Sequence, residues 1–253
     1  MVHSVPNCGF ARSYIIAGLR GLAVIDVGSV GTVGDVSAVI GRLGKTLNDI
    51  VLIAATHFHI DHIGGIGQML GKCPPDVKVM FHRIVGDYLT GKRKMSLTKN
   101  WVTGFIPAST ASIRYIRRFS HLYFESLSGI PVPGLREKIN LPYQRDRIEY
   151  FGREGQKRYS LDFDDWEVIE TPGHTDDSVS FYSETSRELI CGDLILNMAK
   201  SGRGELNRFY SSRESILQSF DDLARMIMPR TIYPGHGEII QDADNALRHI
   251  KMF

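Results

Sequence analysis

Between residues 56 and 65 the chain reads Thr-His-Phe-His-Ile-Asp-His-Ile-Gly-Gly, crowding His57, His59, Asp61 and His62 into six positions. Neutral imidazole and carboxylate are the donors that borderline divalent cations prefer, and a loop leaving a strand can turn alternate side chains toward one point. Three later stretches, Thr171-Pro-Gly-His174, Cys191-Gly-Asp193 and Tyr233-Pro-Gly-His236-Gly237, each add one donor in a turn rich in Gly or Pro. Glycine there permits the close backbone approach that aims a single strand-end side chain. His57, His59, Asp61, His62, His174, Asp193 and His236 make seven donors, too many for one tetrahedral ion and suitable for two. Two adjacent divalent ions can share a bridging water, lower its pKa toward about 7 so that hydroxide exists at neutral pH, and polarise a carbonyl or phosphoryl oxygen. Asp61 could also move the proton to the leaving group. The all-nitrogen-and-oxygen set suits zinc, with iron or manganese chemically acceptable. His3, His82, His121 and His249 lack such a context and read as packing or surface residues.

Each donor stretch follows an apolar, β-rich run. The run 50–55 precedes the first, and short strands are expected at 159–163, 166–170, 178–182, 188–191 and 231–233. Residues 13–28 read as a hairpin broken at 18–21, followed by a helix with Val36, Val39, Ile40 and Leu43 on one face. Further helices are expected at 66–70, 212–226 and 242–250, and a buried strand at 77–81. Gly28, Gly31 and Gly34 fit neither G-x-G-x-x-G nor a P-loop, so a phosphate loop is not expected. Two β-rich halves flanked by helices predict a four-layer αββα sandwich, formed by the whole chain 1–253 as one domain.

Residues 92–147 interrupt this order. Pro107 could open a helix in which Ile113, Ile116, Phe119, Leu122, Tyr123 and Leu127 recur at helical spacing, ending at Ser128-Gly129. The segment is predicted to be an inserted, largely helical, basic piece that could cover the site. Over 92–158 there are 14 Lys/Arg against 5 Asp/Glu, a balance of +9 where the whole chain carries +2, so the remainder carries −7. A local positive field attracts anionic ligands. Arg114, Tyr115, Arg117 and Arg118 are therefore candidates for binding an anionic group, with Tyr123 and Phe124 offering apolar surface. Lys200, Arg203, Asn207 and Tyr210, after Asp193, are alternative binders.

At 253 residues with 43% hydrophobic content the chain can build a substantial core. No run approaches the roughly 18 apolar residues of a membrane span, and the first residues lack a basic region followed by an apolar stretch, so a cytoplasmic protein is expected. Three cysteines, Cys8, Cys73 and Cys191, without CxxC spacing argue against a disulfide framework or a cysteine zinc ribbon. A homo-oligomer stays open. Nucleic acid is disfavoured as a partner, because the net charge is small and there are no aromatic-basic repeats.

His-x-His-x-Asp-His followed in order by His174, Asp193 and His236 resembles the metallo-β-lactamase superfamily of metal-dependent hydrolases. The likeness spans about 13–250, excluding roughly 92–147. It implies an αββα sandwich with a dinuclear site in the cleft between its halves. It also implies His57, His59 and His174 as ligands of one metal, Asp61, His62 and His236 as ligands of the other, and Asp193 as the bridging carboxylate. Members with oxygen-reducing diiron sites typically carry Glu where His59 stands, and no flavodoxin-like domain is attached here, which favours hydrolysis with zinc. Lactonases of the superfamily usually place Tyr three residues after the bridging aspartate, where this chain has Leu196. Glyoxalase II-type thioesterases carry a helical C-terminal domain, whereas about 17 residues follow His236. The typical tRNA-processing endonucleases carry a separate exosite arm. The expected substrate is a small, anionic ester, lactone or thioester; a phosphodiesterase or nuclease, or a non-catalytic binding protein on the same fold, are the alternatives.

Overall fold

The computed structural model describes residues 1–6, 8–137, 139–198 and 202–253. Its first half runs β1 (Val2–Val5), β2 (Ser13–Gly18), β3 (Gly21–Ile25), α1 (Val30–Arg42), β4 (Ile50–Ala54), α2 (Ile60–Ile63), α3 (Ile66–Leu70), β5 (Lys78–His82), α4 (Arg83–Leu89), α5 (Ile106–Ser112) and β6 (Ile148–Phe151). The second runs β7 (Arg158–Phe163), β8 (Trp166–Glu170), β9 (Val179–Ser183), β10 (Glu188–Gly192), β11 (Ile195–Leu196), β12 (Glu205–Leu206), α6 (Arg213–Met226), β13 (Thr231–Pro234) and β14 (Ile240–Gln241). One sheet has the order β1-β2-β3-β4-β5-β6, the other β14-β13-β10-β9-β8-β7, and β11 pairs β12 apart from both.

Strand alternation explains why these sheets stack. Successive side chains leave a strand on opposite faces, and here both faces of the central strands are apolar. In β2, β3 and β4, Ile15, Val24 and Ile53 enter a core with Val36 and Ile40 of α1 and Met69 of α3. Their neighbours Tyr14, Ile16, Ala23, Ile25, Leu52 and Ala54 face the other way, into a core shared with Leu161, Trp166, Val168, Phe181 and Ile190 of the second sheet. The opposite face of that second sheet, with Ile169, Tyr182, Leu189 and Ile232, packs on Ile216, Phe220 and Leu223 of α6. Three apolar cores separate four layers, the predicted αββα sandwich. β3, β4, β5 and β6 run parallel, as do β10 and β13. The donor stretches therefore leave the carboxyl ends of β4, β8, β10 and β13.

Two expectations from periodicity are corrected. The helix expected from residue 107 through 127 breaks up: α5 ends at Ser112, short 3-10 turns follow at Ile113–Tyr115 and Phe119–Leu122, and Ile113, Phe119, Leu122, Tyr123 and Leu127 are exposed. Thr110 turns its hydroxyl back onto the Ile106 carbonyl at 2.9 Å, and the Arg117 amide, which a helix would spend on residue 113, donates to His121 Nδ1 at 3.1 Å. Buried His121 is held in turn by Asp35 of α1 at 2.8 Å, so a tertiary tie outcompetes the helix. The helix expected at 242–250 is only a 3-10 turn, Ala246–His249. Asp242 accepts the amides of Asp244 and Asn245, and Asn245 accepts that of Leu247, which satisfies these donors without an α-helix. Among the described residues, no helix is long and apolar enough to cross a membrane.

Candidate metal centre

The loop after β4 carries four of the seven donors, and neighbouring chain holds it from both sides. Asp26, at the end of β3, accepts the Thr56 amide through Oδ1 and the Thr56 hydroxyl through Oδ2, both at 2.8 Å. Asp177, from the turn after His174, accepts the Phe58 amide at 2.7 Å. The fourth turn has no room for a side chain at Gly235, where a Cβ would lie 2.1 Å from Asp193 Oδ1.

The donors converge. His57 Nε2 lies 3.1 Å from His59 Nδ1, which lies 3.0 Å from His174 Nε2. Asp193 reaches toward three rings: Oδ1 is 3.4 Å from His62 Nε2, and Oδ2 is 3.4 Å from His174 Nε2 and 3.3 Å from His236 Nε2. His236 Nε2 is also 3.4 Å from Asp61 Oδ2. Donor atoms of His57, His59 and His174 lie within 4.8 Å of one another, as do those of His57, His62 and Asp193 and those of Asp61, His62 and His236. All seven expected donors are thus brought together, and all but Asp61 are buried.

Their outer nitrogens fix how they present themselves. His62 Nδ1 donates to Asp26 Oδ2 at 2.8 Å, His174 Nδ1 to the Phe209 carbonyl at 2.5 Å and His236 Nδ1 to the Phe10 carbonyl at 2.8 Å. Thr56 gives its own proton to Asp26 and can accept His57 Nδ1–H at 3.1 Å. In the neutral form of these four rings Nε2 is left as a lone pair facing the cluster. His59 Nδ1 sits about 3 Å from both His57 Nε2 and His174 Nε2, and whichever tautomer His59 adopts it brings at most one proton to these two lone pairs. The spacing is close to the edge of about 3.3 Å that tetrahedral ligands at about 2.0 Å would give. His62 Nε2 and Asp193 Oδ1 are buried without any hydrogen-bond partner. A divalent cation fits this donor set.

Burial, with the neighbouring imidazoles, pushes His57 and His59 well below the ordinary histidine range, and burial lowers His174 too, which keeps all three neutral. Burial would lower His62 and His236 as well, but Asp26 and Asp193 raise His62, and Asp193 and Asp61 raise His236. Asp193, despite burial, is held well below the carboxylate range by His236 and His62.

A cavity of about 370 Å³ opens beside the donors and is lined by His59, Asp61, His174, Asp193 and His236. The 92–147 segment does contribute to its wall, but through Trp101, Phe105, Ala108, Phe124 and Ile130, with no Lys or Arg among the described lining residues. Arg114, Tyr115, Arg117 and Arg118, candidates for holding an anion, do not line it. Arg114 bonds the Tyr115 hydroxyl at 2.7 Å and the Met198 carbonyl at 3.2 Å, Arg118 pairs with Asp35, Arg117 is exposed, and Tyr115 donates to Glu238 at 2.5 Å. Arg114, Tyr115 and Arg118 fasten the segment to the body. Asn207 lines the cavity and ties the His174 and Asp193 turns together, donating to the Asp193 carbonyl at 2.9 Å. Arg203 is exposed, Tyr210 stacks on Phe253 with ring centroids 5.5 Å apart, and Lys200 lies outside the described residues. Asp26, Thr56, Asp177 and Phe209 are missed by motif reading; the available signal was a lone carboxylate ending the apolar strand β3.

A family model described as the metallo-beta-lactamase superfamily matches residues 6–236. "Probable metallo-hydrolase YqjP" of Bacillus subtilis is 23% identical over 242 residues, covering 90% of this chain and 67% of that protein. "Probable metallo-hydrolase MJ0888" of Methanocaldococcus jannaschii is 26% identical and covers 94% of each chain. A hydroxyacylglutathione hydrolase of Francisella tularensis subsp. novicida is 35% identical over 92 residues, 35% of this chain and 34% of that protein. The chain thus spans between a third and nearly all of the length of these relatives. Among solved structures, a metallo-beta-lactamase family protein of Thermus thermophilus superposes with a TM-score of 0.59 at 20% identity, covering 98% of this chain and 76% of that one. An archaeal superfamily protein of Sulfolobus tokodaii gives 0.57 at 18% identity, covering 95% and 81%.

Proposed function

The chain belongs to the metallo-beta-lactamase superfamily and is a metallo-hydrolase, and from that premise we propose that it uses two divalent cations to hydrolyse an ester, lactone or thioester. His57, His59 and His174 would hold one cation and Asp61, His62 and His236 the other, with Asp193 between them. Zinc is the proposed metal, since the donors are nitrogen and oxygen without thiolate. The observation that carries this reading is the convergence of seven donors from four loops, with His62 Nε2 and Asp193 Oδ1 buried and unpartnered.

When bound, the cations would acidify a shared water toward a pKa of about 7 and polarise the scissile carbonyl. The remaining work falls to the chain. Asp26, the Phe209 carbonyl and the Phe10 carbonyl hold the outer nitrogens of His62, His174 and His236 and so fix each ring's orientation. Asp61, whose side chain is 27% exposed and lines the cavity, is the carboxylate placed to take the proton of the attacking water and return it to the leaving oxygen or sulfur. The partial match to a hydroxyacylglutathione hydrolase favours including thioesters.

The test is a panel of esters, lactones, thioesters, a β-lactam and bis-nitrophenyl phosphate, assayed with and without chelator. Chelator-sensitive turnover of a carboxylic substrate is expected. Turnover of the phosphodiester alone, or turnover that chelator leaves untouched, would overturn the reading.

A further inference from the structure

The shape and chemistry of the cavity wall narrow the substrate class, an inference that rests on the hydrolytic reading above. We propose that Trp101, Phe105 and Phe209 form a binding site for an uncharged aromatic group of the substrate, held beside the donor cluster. The three rings form a nearly equilateral set, with centroids 4.7 Å apart for Trp101 and Phe105, 5.0 Å for Trp101 and Phe209, and 5.1 Å for Phe105 and Phe209. Phe209 also lies 5.9 Å from the His174 ring, so the aromatic wall is continuous with the proposed metal ligands.

The local backbone is built to present these rings. Asn100 adopts a left-handed conformation with φ 63°, and its side chain donates to the Arg208 carbonyl at 3.1 Å. Lys99 donates its amide to the Tyr210 carbonyl at 2.7 Å, so the segment is sewn onto the loop that carries Phe209. The next turn, Trp101–Phe105, is a π-helical turn in which the Asn100 carbonyl accepts both the Gly104 amide at 2.7 Å and the Phe105 amide at 3.3 Å. That wide turn brings Trp101 and Phe105 side by side, and such turns recur at functional sites. Gly104 is required, because a Cβ there would lie 2.7 Å from the Phe209 amide nitrogen.

Trp101 and Phe105 remain 37% and 38% exposed although they line the cavity, leaving aromatic surface for a ligand to cover. Phe10, Phe124, Ile130 and Leu196 extend the apolar lining. Outside the proposed ligands, Ser109, Ser112 and Asn207 are its polar side chains among the described residues, and none of the described lining residues is Lys or Arg. A carboxylate seated among these rings would lose its hydration and meet no compensating Lys or Arg side chain among the described residues that line the cavity beside them. A cavity of about 370 Å³ accommodates the reacting carbonyl together with a ring of benzene size, which fills on the order of 150 Å³. On this proposal the substrate is neutral rather than anionic.

The experiment uses the zinc-loaded full chain in a pH-stat assay of methyl phenylacetate, benzyl acetate, methyl acetate and monomethyl succinate. At least one aromatic ester should exceed methyl acetate in kcat/KM by tenfold or more, monomethyl succinate should not exceed methyl acetate, and Trp101→Ala and Phe105→Ala should each reduce the aromatic preference at least fivefold. Calorimetric binding of N-benzylacetamide to the same protein separates the two layers of inference. If no ester is cleaved but the amide binds, and binds at least fivefold more weakly to Phe105→Ala, the aromatic site stands and the reaction assignment falls. If esters are cleaved without aromatic preference, if monomethyl succinate is preferred, or if neither variant changes selectivity or binding, the aromatic site is refuted.

Discussion

Replacing Asp26 should separate the folding role of the strand-end carboxylate from its role in orienting a proposed metal ligand. Asp26 is 1% exposed and collects three contacts at 2.8 Å: the Thr56 amide, the Thr56 hydroxyl and His62 Nδ1. Asp26→Ala strands the Thr56 amide and the His62 N–H in the interior and places Ala at φ 60°. At roughly 1–3 kcal/mol for an unsatisfied buried donor, with a left-handed backbone adding about 1, a loss of about 4 kcal/mol of unfolding free energy is expected. Asp26→Asn keeps the shape and suits the backbone, so about 2 kcal/mol is expected for it. Its amide, however, offers a donor. If Oδ1 keeps the Thr56 amide, the NH2 faces His62 Nδ1, which must then accept and leave its proton on Nε2, the atom proposed to bind metal. Both variants should lose about 10–100-fold in affinity for one cation while the His57, His59 and His174 set retains the other. Denaturant unfolding of chelated protein gives the first quantity and competition with a chromophoric chelator the second. An Asp26→Asn protein that binds two cations with wild-type affinity would refute the reasoning.

Two other predictions follow from the same structure. Asp26 and Asp193 raise the His62 pKa, and Asp193 raises that of His236, so each holds a proton at pH values where a free imidazole has lost it. A cation must displace that proton, so affinity for the second cation should rise with pH through and above 6.5 and flatten above the folded pKa values. The first cation, on imidazoles already neutral, should vary less, and chelator competition from about pH 6 to 9 checks both; equal and flat profiles would contradict them. Leu223→Ala on the inner face of α6, fully buried between helix and sheet, should lower stability by about 3 kcal/mol in denaturant melts while leaving metal content and kcat/KM at about 20 °C unchanged, because Leu223 neither belongs to the donor cluster nor lines the cavity.

The donors and the strands that aim them were legible because both signals are local. His57, His59, Asp61 and His62 occupy six positions, and the apolar runs before His174, Asp193 and His236 need only their own composition to read as strands. The segment 92–147 was misread for a physical reason. Helical spacing of Ile113 through Leu127 says where apolar residues would fall if a helix formed, but His121 takes the Arg117 amide and bonds Asp35, and these distant partners have no trace in the periodicity. Its basic character misled similarly. Arg114 and Arg118 serve contacts with Tyr115, Met198 and Asp35, while the aromatic residues of the same segment reach the cavity. Asp26 carries no comparable local signal, since its partners Thr56 and His62 are 30 and 36 residues away.

The most direct test of the central claim is the number of cations per chain, measured by native mass spectrometry with elemental analysis on protein dialysed against trace zinc, for the wild type and for His174→Ala and His236→Ala. Two equivalents are predicted for the wild type, one for each variant, and hydrolysis should vanish in all three on chelation. One equivalent or none in the wild type, or two retained in either variant, would contradict a two-cation centre built from these seven residues.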